Sequence, residues 1–387
     1  MRSQVQKTEQ TEPIPLPDAV SQRLILVGGF FGAGKTMTLS RLGALLRRKG
    51  IRVGLLTNDA NGELADTAFL RNQDFSTEQI SGVPLSDQIE AFTAQLERFT
   101  DAEVLIVEAA GNSGQIARRA ISSLRQMDAD ALTIAPLSVL LDPIRAARAF
   151  GLEPGARFSD KLAYLYRKQL EEAEIIILNK IDLISLPQRT RLRQFLEQQF
   201  SGVSIVETSL REGFGLDEWL RCLMTKEHSV RDLPSVDAVL YARAQASLGW
   251  LNCTVRLSSL KYFDAGKVLT ELASVTQSAL RHEGVDISHL KMALNSDGEP
   301  GLAFISVSRN DASPDLSENL QEPVQSGELL LNLRSEADPE LLHSAVNRAL
   351  LALMESSPDL FARMENCEHF RFPAAGFEEE RLAGSAA

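Results

Sequence analysis

Cysteine is scarce in this chain. Cys222, Cys253 and Cys367 are the only three in 387 residues, far apart and odd in number. No disulfide framework can be read from that spacing, and the usage fits a reducing compartment, with the cytoplasm as the expectation. Long apolar runs are missing as well. No stretch approaches the roughly eighteen consecutive apolar residues of a membrane span, so no membrane partner is expected. Before Arg23 the chain carries Lys7, Glu9, Glu12 and the prolines 13, 15 and 17 rather than the apolar core of a signal peptide. Positive charge is short: 40 Lys and Arg against 52 Asp and Glu leave a net charge of -12. Broad contact with DNA or RNA phosphates needs a concentrated basic footprint, so no nucleic-acid partner is expected. The one basic cluster, Arg47, Arg48, Lys49 and Arg52, falls at the end of an expected helix, where cations complement the helix dipole.

What is present describes an ordinary globular protein, 44% apolar and 24% charged. The length exceeds the usual single domain, so two are expected. Residues 1–22 are polar and proline-rich and read as a flexible lead-in. Residues 23–224 alternate short apolar runs (Leu24–Val27, Val53–Thr57, Val104–Val107, Leu132–Leu141 broken by Pro136, Ile175–Leu178) with amphipathic stretches such as Lys35–Lys49. Strands that are apolar throughout, alternating with helices, predict an α/β domain whose mostly parallel sheet is covered by helices on both faces. Residues 225–238 read as a linker, 239–373 as a smaller α+β domain of possible ferredoxin-like order, and 374–387 as a flexible tail. In the smaller domain, strands are expected at Trp250–Leu257, Leu290–Asn295, Leu302–Val307 and Glu328–Leu333, with helices over Ala265–His282 and Pro339–Glu355. Leu342, Ala345, Val346, Ala349, Leu350 and Leu353 give the last helix its apolar stripe.

The strongest motif is Gly29-Phe30-Phe31-Gly32-Ala33-Gly34-Lys35-Thr36, which follows a strand and opens a helix. Glycines at such a turn let successive backbone N–H groups point inward around phosphates. Lys35 then brings charge to the terminal phosphates, and the Thr36 hydroxyl is a Mg²⁺ ligand candidate. Asn179-Lys180-Ile181-Asp182 follows the strand Ile175–Leu178. A carboxylate there can accept from both the ring N–H and the exocyclic amine of guanine. Adenine offers no such donor pair, and leaving a buried acceptor unmatched costs on the order of 1–3 kcal/mol. Glu108, with Gly111 three residues on, ends the strand Val104–Val107, where Mg²⁺ needs an oxygen partner. Gly111 would let the backbone approach the γ-phosphate. Asp59 is a second candidate for the Mg²⁺ shell or for water positioning, with an Asx turn as the alternative. Ser209 and Leu210 lie in Thr208–Leu216, where a loop would support the base through its main chain. No glutamine that orients water adjoins Gly111; Gln115 is a candidate by proximity only.

Together the P-loop, Asp59, Glu108-x-x-Gly111 and Asn-Lys-x-Asp resemble the CobW-like P-loop GTPases, the group that also holds hydrogenase- and urease-accessory members. Thr57-Asn58-Asp59-Ala60-Asn61-Gly62-Glu63 and Gln169–Glu174, running into Asn179–Leu183, carry the resemblance further. It covers roughly residues 23–224 and implies Mg²⁺-dependent GTP hydrolysis with a conformational switch. The implied catalytic residues are Lys35, Glu108 and Asp59, and the implied metal ligands Thr36, Glu108 and Asp59. Nucleotide contacts would come from Gly29, Gly32, Ala33, Gly34, Lys35, Thr36, Gly111, Asn179, Lys180, Asp182, Ser209 and Leu210. The implied task is loading a metal or a metal-containing cofactor such as cobalamin into a client protein, with a homodimer as a further possibility. The alternative is a non-catalytic GTP-binding scaffold whose C-terminal domain binds a partner. One departure matters: CobW-like metal carriers have Gly-Cys-x-Cys-Cys where this chain has Gly82-Val83-Pro84-Leu85-Ser86. Without thiolates no bound transition metal is expected. Glu78, Asp87 and Glu90 read as surface helix, and Cys367-Glu368-His369 as two ligands in a tail.

Overall fold

The computed structural model describes residues 22–59, 65–81, 89–109, 111, 121, 124, 132–155, 158–229, 232–298 and 300–372. Two sheets organise them. The first holds β1 (Gln22–Gly29), β2 (Val53–Asp59), β3 (Ser76–Ser81), β4 (Val104–Glu108), β5 (Leu132–Ile134), β6 (Ser138–Leu141), β7 (Ile175–Leu178) and β8 (Ser204–Glu207). Their order is β3-β2-β4-β1-β6-β7-β8, with β5 also beside β1. Every pairing in it is parallel. Around it run α1 (Lys35–Arg48), α2 (Ala65–Arg71), α3 (Ile89–Leu96), α4 (Pro143–Ala149), α5 (Asp160–Glu172), α6 (Leu186–Gln199) and α7 (Leu216–Thr225).

Alternate residues of each central strand enter opposite cores. Leu24, Leu26, Leu105, Val107, Ile176 and Leu178 lie in one core. Ile25, Val27, Val104, Ile106, Ile175 and Ile177 lie in the other. That is why these strands read as continuous apolar runs. The run expected at Leu132–Leu141 splits at Pro136, which lacks the N–H a strand interior needs, into β5 and β6.

The second sheet is antiparallel and follows α8 (Ala238–Ala246). Its strands are β9 (Gly249–Phe263), β10 (Ile287–Ser296), β11 (Leu302–Val307), β12 (Asp315–Glu318), β13 (Val324–Ser335) and β14 (Leu360–Phe370). Helices α9 (Ala265–His282) and α10 (Pro339–Ser356) cover one face. The order β12-β11-β10-β13-β9-β14 contains the split β-α-β order of ferredoxin-like folds, with β11 and β12 added beyond β10. The stripe expected on α10 is the set of residues that helix buries.

Three readings need correction. Glu78 lies on strand β3, not on a helix, and pairs with Arg98 at 3.3 Å. Cys367-Glu368-His369 lies in a full strand, Leu360–Phe370, not in a tail. Charged residues on its open face hide the alternation, and a bulge between Met364 and Asn366 reverses its parity. That strand also sets Cys367 opposite Cys253, and the two are joined as a disulfide with Cα atoms 4.2 Å apart. A separation of 114 residues concealed the pairing. Residues 82–88 and Gln115 lie outside the described residues.

Candidate functional site

The site begins where β1 runs out. Gly29 takes φ 132, and a Cβ there would stand 2.5 Å from the Leu140 carbonyl oxygen. Gly34, the N-cap of α1, takes φ 105, and a Cβ there would stand 2.5 Å from Asn179 Nδ2. Only glycine tolerates both the left-handed backbone and the crowding. The turn leaves Lys35 and Thr36 buried on the first turn of α1. Glu108, last residue of β4, is in register with Val27 of β1 and reaches both. Its Oε1 is 3.8 Å from Lys35 Nζ, and its Oε2 accepts from Thr36 Oγ1 at 3.4 Å.

Asn179 joins the phosphate loop to the loop after β8. Its Nδ2 donates to Ala33 O (2.9 Å), while its Oδ1 accepts from Thr208 Oγ1 (3.1 Å) and Leu210 N (3.3 Å). Lys180 adopts φ 57, rare for a side-chain-bearing residue, and donates from Nζ to Gly32 O at 2.6 Å. Ser209 and Leu210 are buried on the same side, Ser209 exchanging backbone hydrogen bonds with Phe214. Asp182 stands exposed in the short turn Ile181–Leu183. Gly111 accepts from Gln169 Nε2 at 2.8 Å and faces the Phe31 ring so closely that a Cβ would lie 2.4 Å from it. Asp59 ends β2, and its side chain is outside the described atoms. Loops from three strand ends, after β1, β4 and β7, therefore meet at one place, as ligand sites do in open parallel sheets.

The family model for the CobW/HypB/UreG nucleotide-binding domain matches residues 23–207. That match spans just under half of the chain. A curated relative, the signal recognition particle 54 kDa protein of Methanopyrus kandleri, is 30% identical over 134 residues, 34% of this chain. The match spans 29% of that relative's own length. Among solved structures, the hydrogenase maturation factor HypB from Archaeoglobus fulgidus is 16% identical with a TM-score of 0.38. That alignment covers 52% of this chain and 87% of HypB. Zn(II)-bound YjiA GTPase from E. coli is 14% identical with a TM-score of 0.33, over 84% of this chain and 98% of its own. At such scores the two likenesses carry no argument about function.

In the domain that this family model matches, the Gly29–Thr36 turn is roofed by the antiparallel sheet. Helices cover one face of that sheet; Ala293, Phe304 and Leu330 on the other join the core of the parallel unit. A Cβ on Gly32 would stand 2.8 Å from Ser308 Cβ. Arg145 of α4, fully enclosed, donates to the carbonyls of Ile287 (2.6 Å), Ser288 (2.9 Å) and Ser308. Asn332 Oδ1 accepts from Ala65 N at 2.9 Å. Lys291 of β10 reaches furthest: its Nζ is 2.5 Å from Asp66 Oδ2 and 3.0 Å from Thr36 Oγ1. A cation thus already stands at the Thr36 hydroxyl, beside the Glu108 carboxylate. That hard-oxygen setting fits Mg²⁺, which carboxylate and hydroxyl oxygens bind well.

Sequence reasoning missed Asp142, Arg145, Lys291 and His289. Asp142 directly follows β6 and caps α4, accepting from Ile144 N and Arg145 N at 3.0 Å each. It also pairs with Lys180 at 3.0 Å and Arg309 at 3.4 Å. Burial opposes its charge, but Lys180, Arg309 and the Arg145 N–H together hold the carboxyl below its ordinary range. Asp142-Pro143 after an apolar strand was the available signal, a cap with proline at the first helical position. His289 is enclosed, edge-on to the Phe31 ring at 5.1 Å, and its Nε2 has no partner. Burial, then Lys291, Arg334, Lys35 and Arg145, push its pKa well below normal.

Proposed function

We propose that this chain binds GTP with Mg²⁺, hydrolyses it, and uses the nucleotide to move its antiparallel unit. The observation that carries this reading is the meeting of Lys35, Thr36 and Glu108 at the ends of β1 and β4, inside the domain matched by the family. Backbone N–H groups of Gly32 to Thr36 would cradle the phosphates, and Lys35 would neutralise charge that grows on the terminal ones. Mg²⁺ would be held by Thr36 and Glu108, with Asp59 as a further oxygen, and would supply charge neutralisation between phosphates. Asp182 would read the guanine edge, with Asn179 keeping its loop joined to the phosphate loop. Lys180, Ser209 and Leu210 would line the base.

Lys291 gives the proposed switch a physical form. It lies against Thr36 and Asp66, where the metal and terminal phosphate belong, so entry of Mg²⁺ and GTP requires β10 to lift or Lys291 to swing away. The cellular task we infer is that of a GTP-dependent assembly factor serving a client that takes a metal or a metal-containing cofactor, cobalamin being one case. The family match over residues 23–207 supports that task.

Turnover of GTP by the purified chain tests the enzymatic reading. Lys35→Ala should remove it, and Asp182→Asn should shift preference toward xanthosine triphosphate. Unchanged GTP turnover in Lys35→Ala would overturn the assignment.

A further inference from the structure

The chain has five histidines, and two of them meet far from the P-loop motif. His343 lies on the second turn of α10 and His369 near the end of β14. Pairing sets His369 opposite Leu251 of β9, a residue of the core beneath the helices, so His369 rises on the face that α10 covers. The two imidazoles stack with centroids 4.8 Å apart and planes 10° from parallel. Glu340, one helical turn before His343, brings Oε1 to 3.0 Å from His369 Nε2. Ligand atoms of all three side chains lie within 4.8 Å of one another.

From this juxtaposition we propose that Glu340, His343 and His369 form a binding site for a divalent transition metal of the zinc type. Two imidazoles and a carboxylate are the donors zinc accepts when a fourth position stays open to solvent or to another ligand. Ligands on one tetrahedral zinc stand about 3.3 Å apart, given metal–ligand distances of roughly 2.0–2.1 Å. The Glu340–His369 pair already meets that separation, at 3.0 Å. The third donor needs to move by at most about 1.5 Å, which half-exposed side chains can do by rotation.

The neighbours suit the role. Asn347, one turn after His343, contacts that ring with its Nδ2 3.1 Å from Nε2. With its amide turned over, the oxygen would accept the ring N–H and leave Nδ1 to the metal, the orienting partner that histidine ligands commonly have. His369 Nδ1 is enclosed without a partner, so Nε2, facing Glu340, is the nitrogen directed at the shared position. An ordinary ion pair explains Glu340 and His369; it does not explain a second imidazole stacked on the first. The proposal stands whether or not the parallel unit hydrolyses GTP, because none of its three residues touches that site.

The test uses the full chain, stripped with chelator and then titrated with Zn²⁺ against a chromophoric competitor. A parallel titration with Co²⁺ follows the visible bands of a four-coordinate nitrogen–oxygen site. The expected result is one equivalent bound, lost by at least tenfold in affinity in His343→Ala and in His369→Ala, and weakened in Glu340→Gln. Thermal unfolding of each metal-free variant shows whether it is folded; should an alanine variant be unfolded, His343→Gln or His369→Gln takes its place. No binding by the parent chain, equal binding by the folded variants, or the strong sulfur-to-cobalt absorption of a thiolate site would each overturn the proposal.

Discussion

Asp142 shows how much one side chain can hold. Its carboxylate caps α4, neutralises Lys180 and Arg309, and through Lys180 fixes the carbonyl of Gly32 in the phosphate loop. Removing one member of a buried ionic cluster leaves the others without compensation, a loss of about 3–5 kcal/mol. We expect that loss in Asp142→Asn, measured by urea unfolding, because asparagine still caps the helix. Asp142→Ala should fall about 1 kcal/mol lower, the usual worth of a cap. Parent-like stability in both would mean that the cluster holds nothing. The motif residues were legible at this scale because Gly29–Thr36 and Asn179–Asp182 are contiguous, and contiguous backbone carries its own geometry. Asp142 was overlooked because its charge partners lie 38 and 167 residues away.

At the scale of elements, β10 explains both a success and a blind spot. It reads as an apolar strand, and it is one. Leu290, Met292 and Leu294 enter the core under the helices, while His289, Lys291 and Ala293 face the parallel unit. His289, Lys291 and Asn295 alternate with that apolar face, so periodicity reads the other face as open to solvent and gives no hint that a second unit lies against it. His289 makes that burial measurable. Its folded pKa is depressed, so the unfolded chain binds its proton first as pH falls. Above the ordinary histidine value of about 6.5 both states are neutral and nothing is lost. Below it, stability should fall by about 1.4 kcal/mol per pH unit until the folded pKa is reached. Unfolding curves at pH 7, 6 and 5 should show this slope in the parent and a shallower one in His289→Gln. Identical slopes would remove His289 as the source.

Across the whole molecule, the antiparallel unit lies on the end of the parallel sheet that carries Lys35, Thr36 and Glu108. Arg145, Asn332 and Lys291 tie the two units, and Phe31 joins them through Trp250 and His289, with ring centroids 5.8 and 5.1 Å away. If Lys291 holds the site shut, Lys291→Ala should bind Mg²⁺-GTP several-fold more tightly and faster. Stopped-flow titration with a fluorescent GTP analogue reads both quantities. Weaker binding would instead make Lys291 a phosphate ligand and overturn its role as a latch. The disulfide between Cys253 and Cys367 and the cluster of Glu340, His343 and His369 likewise exist only because β14 closes the second sheet beside β9 and under α10.

By itself the amino-acid order determined the alternation of strands and helices, the glycine turn Gly29–Thr36, and the positions of Glu108 and Asn179–Asp182 at strand ends. Each is written in neighbouring residues, where chain geometry and periodicity act over a few ångströms. Only the tertiary structure decided that one sheet covers the glycine-turn end of the other, that Lys291 lies on Thr36, and that histidines 26 residues apart share a stack. Those contacts depend on strand order and on the docking of two surfaces, which no local pattern records.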